Sequence, residues 1–159
     1  MIRARDLAEY IIDRCSADGK PVSNIVLNSM MYNMQITYLG MTDTFLFPED
    51  VEAFRFGAAI PDIYYRYCGY GCMPIDSKRA SAVLPDDIST DEYDVIDDVI
   101  RRECSFDPWD FKHLLYEDTS VWAEAWRASS GRHHEIITTD MMRREAETRF
   151  IPTLKKKGK

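Results

Sequence analysis

Five apolar residues at helical spacing, Leu27, Met30, Met31, Met34 and Tyr38, constrain the fold of this chain more than any other feature. They follow i, i+3, i+4, i+7 and i+11, so a helix gathers them on one stripe that has to be buried. Ser23 offers a side-chain oxygen to the first free amides, and Gly40 marks the predicted end. A helix carrying such a stripe is expected to be central, with the other elements packed around it.

Those elements can be placed in turn. Leu7, Ala8, Ile11, Ile12 and Cys15 predict a first helix, stopped by Asp18-Gly19-Lys20-Pro21. Between Thr44 and Phe56 the apolar runs are short and broken by Pro48, Glu49 and Asp50, which predicts one or two short strands. Gly57 supplies a bend that a side chain would obstruct, and Pro61 suits the first turn of a short helix bearing Ile63, Tyr64 and Tyr67. From Cys68 to Asp87, Gly, Pro, Ser and Asp occur without a sustained period and predict an irregular crossover. Ser89 and Glu92 form a capping-box pattern for a helix to about Glu103, with Tyr93, Ile96, Val99 and Ile100 inward and Arg101 and Arg102 at its end. Asp107-Pro108 predicts another helix with Phe111, Leu114 and Leu115 apolar, and Val121, Trp122, Ala125 and Trp126 a further short one before Ser129-Ser130-Gly131. Thr138 or Thr139 caps a last helix reaching about Phe150, before Pro152.

The expected fold is therefore mainly α: a single compact helical domain of about six or seven helices with a small β element. It is expected to span residues 1–152, followed by a basic, flexible tail at 153–159. The chain has 159 residues, 45% of them hydrophobic, enough for one sizeable core, and no Pro, Gly or Ser-rich linker divides it. Its apolar runs fall short of the roughly 20 residues a membrane span needs, and Arg3, Arg5 and Asp6 precede an amphipathic segment rather than a secretory one. A cytoplasmic protein without membrane attachment is expected. A net charge of -7 argues against direct binding to nucleic acid, which needs clustered Lys and Arg, and suits a basic partner better.

Two motifs carry a resemblance. The first is Ser23 to Gln35, with Met30, Met31, Tyr32 and Gln35. The second is Val51 to Tyr64, with Glu52, Ala53, Phe54, Gly57, Ala58, Ala59, Pro61 and Tyr64. Together they resemble the Panacea antitoxin domain, also called the SocA-like or phage-associated-protein domain. In that family a first long helix with a leucine, leucine, tyrosine, glutamine pattern is followed by a Glu-Ala-Trp, Gly-Pro-Val, Pro and Tyr segment. Here Phe54 stands for the tryptophan, Gly57, Ala58 and Ala59 for the Gly-Pro-Val, and Ser29 for a usual lysine. Leu115 and Tyr116 take the place of a Thr-His pair ahead of Trp122. The resemblance implies a non-enzymatic domain that binds and neutralises another protein, often a toxin. It also implies that the Glu52 to Tyr64 segment folds against the Tyr32 and Gln35 face of the second helix, as a signature surface. For Gln35 and Glu52 the residues themselves leave both a structural and a binding role open.

Catalytic and metal readings gather less. Cys68 and Cys72 in CGYGC, with Cys104 and His133-His134 as remote ligands, would make an irregular zinc set, since structural sites usually show two tight ligand pairs. Four reduced thiols, with Cys15 and Cys104 in the core, account for the same residues. His113 with Glu117, or His133-His134-Glu135, supplies an acid and a base but no nucleophile and orienter. Neither a phosphate-binding glycine loop nor an HExxH or GxSxG motif occurs in the chain. The expectation is no catalytic residue, no metal and no cofactor.

Surface chemistry offers more. Asp91, Asp94 and Asp98 follow i, i+3 and i+7, a negative strip that is either a solvated, dipole-favoured face or a site for a basic partner. Tyr32, Phe54, Phe56, Tyr64, Tyr65, Tyr67 and Tyr70 are more aromatics than one short segment pair needs for packing, and those left exposed are the candidate contacts. The expected function is an antitoxin-like, protein-binding domain whose partner is a toxin encoded nearby, a host protease or a defence effector. The alternative is a phage-encoded inhibitor of a host defence nuclease that mimics phosphates with its acidic face, and a hydrolase or transferase comes third.

Overall fold

A computed structural model describes residues 1–77, 83–107, 120–130 and 134–157. Among them are six α-helices and one small sheet. The predicted helix after Asp107-Pro108, together with His113, Glu117 and His133, lies outside the described residues.

The second helix, α2 (Asn24–Thr42), is the centre of the molecule, touching α1 (Ala4–Ala17), α3 (Pro61–Tyr67), α4 (Thr90–Glu103), the last helix α6 (Thr139–Lys157) and the strand β2 (Gly57–Ala59). Enclosure on this scale buries far more than the apolar stripe: 13 of its 19 residues are buried, including Asn24, Asn28, Ser29, Asn33 and Gln35. Ser23 caps its start by accepting from the Val26 amide. Its end lies past Gly40, because Asp43 adopts the left-handed conformation (φ 58°) and donates its amide to the Leu39 carbonyl.

α1 buries Leu7, Ala8, Ile11, Ile12 and Cys15 and stops at Gly19, whose φ of 73° suits a residue without Cβ. α4 begins with the predicted capping box, Ser89 Oγ accepting from the Glu92 amide at 3.2 Å and Glu92 Oε2 from the Ser89 amide at 2.8 Å. Packed on α2, the helix buries the line Glu92, Val95, Ile96, Val99, Ile100 and Glu103. Tyr93, expected inward, falls one position off this line and is 43% exposed.

The sheet has the order β2-β1-β3, with β1 at Glu52–Phe54 and β3 at Glu135–Ile136. β1 pairs antiparallel with β2 (Ala53 opposite Ala58) and with β3 (Glu52 opposite Ile136). Gly57 enters β2 at a φ of 129°, a backbone state L side chains rarely adopt, so the predicted glycine requirement is met in the hairpin. Pro61 opens α3 as expected, and a 3-10 turn at Cys68–Tyr70 follows. α5 (Val121–Ala128) lies against β1, and its Trp122 indole donates to the Phe54 carbonyl at 2.7 Å. Of the two threonines offered as caps for α6, Thr138 does the capping, accepting from the Met141 amide. The helix runs on through Pro152 to Lys157 rather than ending near Phe150. A proline removes one intrahelical donor and weakens a helix without necessarily ending it.

Candidate partner-binding surface

Polar side chains of α2 act first as stitching. Gln35 Nε2 donates to the Phe47 carbonyl at 2.9 Å, while its Oε1 accepts from the amides of Leu46 (2.7 Å) and Phe47 (3.2 Å). The buried carboxamide thereby satisfies three main-chain groups of the segment leading to β1. Of the two roles left open by the sequence, the geometry of Gln35 is structural. Two and three turns earlier on the same face, Asn28 Oδ1 accepts from the Ile60 amide and Asn24 Nδ2 donates to the Tyr64 carbonyl. The Glu52 to Tyr64 segment does fold onto α2, but its polar contacts run through Asn24 and Asn28 rather than through Tyr32 and Gln35.

Tyr32 points instead at α6, where its hydroxyl donates to the Glu145 carboxylate. Glu145 also accepts from Arg149 at 2.6 Å, Arg149 donates to Asn33 Oδ1 at 3.1 Å, and Asn33 Nδ2 donates to both oxygens of Glu103 on α4. This seam ties three helices together through buried and half-buried groups. Burial, and next the charge of Glu145, push the Tyr32 phenol well above its ordinary value. Burial likewise raises the Glu103 carboxyl, against the opposing effects of Asn33, Arg102 and Arg149.

The sheet and α3 are arranged differently. Phe54 is buried because His134 stacks on its face, with ring centroids 3.6 Å apart, and Tyr64 meets it edge-on at 4.8 Å. Tyr65 packs beside both and places its hydroxyl 3.3 Å from His134 Nδ1. The outer members of this region are open to solvent: Phe56 at the hairpin turn is 49% exposed, Tyr65 55% and Ile136 46%. The Glu52 carboxyl is raised, chiefly by burial, with His134 opposing the shift. Aromatic and apolar groups on a rigid sheet–helix junction, bordered by carboxylates, can take up another protein's side chains.

The remaining candidates are scattered. Asp91, Asp94 and Asp98 lie exposed on one side of α4, Asp98 paired with Arg102 at 2.9 Å. Asp97, unnoticed in the sequence, is half-buried and pairs with Arg14 and Arg101. Cys68 and Cys72 are exposed, whereas Cys15 and Cys104 are buried, the Cys15 thiol being pushed up to about 12 chiefly by that burial. No group of three His, Cys, Asp or Glu residues suited to a metal occurs among the described residues.

Two features of the site had no sequence signal. His134 reaches Phe54 only because β3 pairs with β1 across about 80 residues of chain. The Asn33–Glu103–Arg149–Glu145 seam joins polar residues of three helices that stand far apart in the chain. Compared with family models, curated proteins and solved structures, the chain matches none of them.

Proposed function

We propose that this chain is a non-catalytic protein-binding domain of the antitoxin kind, which neutralises a partner protein such as a toxin. The observation that carries this reading is the open aromatic and apolar surface of Phe56, Tyr65 and Ile136 around the Phe54–His134 stack. Exposed aromatics held on a rigid support favour protein contact over catalysis. The resemblance in Ser23 to Gln35 and Val51 to Tyr64 supports the same reading, and the net charge of -7 favours a basic partner. Growth rescue on co-expression with a toxic neighbouring reading frame, followed by co-purification of the two products, tests it. Rescue lost in Tyr65→Ser and Phe56→Ser supports it, while a neighbouring frame that is harmless, or toxic despite co-expression, sinks it.

A second reading, inhibition of a defence nuclease by phosphate mimicry, is favoured by the exposed Asp91, Asp94 and Asp98 strip. Replacing all three by Asn should then abolish inhibition of the purified nuclease and flatten its salt dependence, with the fold intact. Retained inhibition would remove this face from the mechanism.

A further inference from the structure

The main chain of β3 indicates how a partner would engage, on the premise of the partner-binding reading above. Ile137 donates its amide to the Val51 carbonyl at 2.8 Å, and Ile136 and Glu135 lie opposite Glu52 and Ala53. In an antiparallel ladder, successive residues alternate between bonding toward the neighbouring strand and away from it. Residues 135 and 137 therefore turn their main-chain groups to β1, and Ile136 turns its N–H and C=O outward. β3 is an edge of the sheet, and Ile136 has no hydrogen-bond partner on that side among the described residues. An edge strand with outward groups is a template for strand addition.

A groove of about 320 Å³ adjoins this edge, with apolar walls from Phe45, Phe47, Pro48, Ile136, Ile137 and Met142. Its charged side chains are acidic, Glu49 and Asp50, and Met1 also lines it. Nearby cations are already engaged: the Met1 amino group pairs with Glu92, and Arg143 pairs with Asp43 while lying over the Phe45 ring. We propose that the open edge of β3 receives an extended, Lys- or Arg-bearing segment of the partner protein. That segment pairs with the main chain of Ile136, seats an apolar side chain in the groove and sets its cations against Asp50 and Glu135. A second copy of this chain is a poor occupant, because pairing two β3 edges would bring these carboxylates together within a chain of net charge -7.

The probe is a capped peptide of alternating lysine and valine, titrated into the isotopically labelled protein and followed by amide NMR. Shifts centred on residues 134–138 and the groove are expected, with binding weakened about tenfold or more by Asp50→Lys and by Ile136→Pro. Proline at position 136 removes only an outward donor, leaving the ladder to β1 intact, and a thermal melt checks the fold. Should that variant unfold, Asp50→Lys and a peptide N-methylated on its pairing amides still decide the matter. Equal binding of the N-methylated peptide, shifts elsewhere on the molecule, or a dimer that Ile136→Pro dissolves would each overturn the proposal. Growth rescue separates the two readings. If Ile136→Pro still neutralises the partner, the antitoxin reading stands without strand addition; if the peptide binds at β3 but no partner is neutralised, strand addition stands without the antitoxin reading.

Discussion

The face of α2 and the edge of β3 treat the same kinds of group in opposite ways. Around α2, Gln35 alone closes three main-chain groups, and Asn24, Asn28 and Asn33 each have partners on other elements. At β3 both strand residues are exposed, and Ile136 turns its main chain away from β1, without a hydrogen-bond partner among the described residues. Closed polar groups hold a single arrangement, because an unpaired buried group costs about 1–3 kcal/mol. Open ones at the surface are solvated at little cost and remain available to a second molecule. Damage to the first region should therefore appear as lost stability, and damage to the second as lost binding.

The largest effect is expected at Gln35. Gln35→Leu leaves the Leu46 and Phe47 amides and the Phe47 carbonyl without their partner, and should cost about 3 kcal/mol or more in denaturant unfolding. A loss under about 1 kcal/mol would mean that the 46–47 segment readily finds other partners, and would blur the contrast. Gly57→Val comes next, at about 1–3 kcal/mol, since valine resists the positive φ at the entry to β2. Thermal melts indistinguishable from the parent protein would show that the hairpin adapts. Phe56→Ser, in the open region, should change stability by less than about 0.5 kcal/mol while weakening the partner complex about tenfold. The reverse pattern, a destabilised fold with unchanged affinity, would place Phe56 on the structural side.

The smallest effect is in pH. Burial raises the Glu103 carboxyl, so the folded state binds this proton more tightly than the unfolded chain. Its contribution is complete below the unfolded value and is lost as pH rises through the folded one. Glu92 runs the other way: burial pushes it up, but the Ser89 amide and hydroxyl and the N-terminal amino group bring it below its ordinary value. Its contribution is present above the unfolded value and is lost as pH falls through the folded one. Melting profiles across pH should show Glu103→Gln reducing the decline from acid toward neutral pH, and Glu92→Gln reducing the loss at the acid end. Identical profiles for the parent and both variants would remove these carboxyls from the pH response.

Much of this fold was legible because its signals are local. Helical periods, the Ser89–Glu92 box, Ser23 as a cap, Gly57 in the hairpin and Pro61 at the start of α3 all act within a few residues. Tyr93 shows the limit, since a small rotation of the helix separates exposed from buried and packing against α2 sets it. The candidate site was legible in part. Phe54 and Tyr64 do come together, but His134 and Ile136 arrive from a distant strand two residues long.

The sequence by itself determined a mainly helical chain built around α2, the caps at Ser23 and Ser89, and a net charge of -7. Only the tertiary structure decided which polar residues of α2 close on neighbouring elements, which aromatics stay open, and that β3 completes the sheet with an edge left unpaired among the described residues. The reason is range: caps and periods depend on neighbours a turn away, whereas burial, hydrogen-bond closure and strand pairing depend on residues brought together across the whole chain.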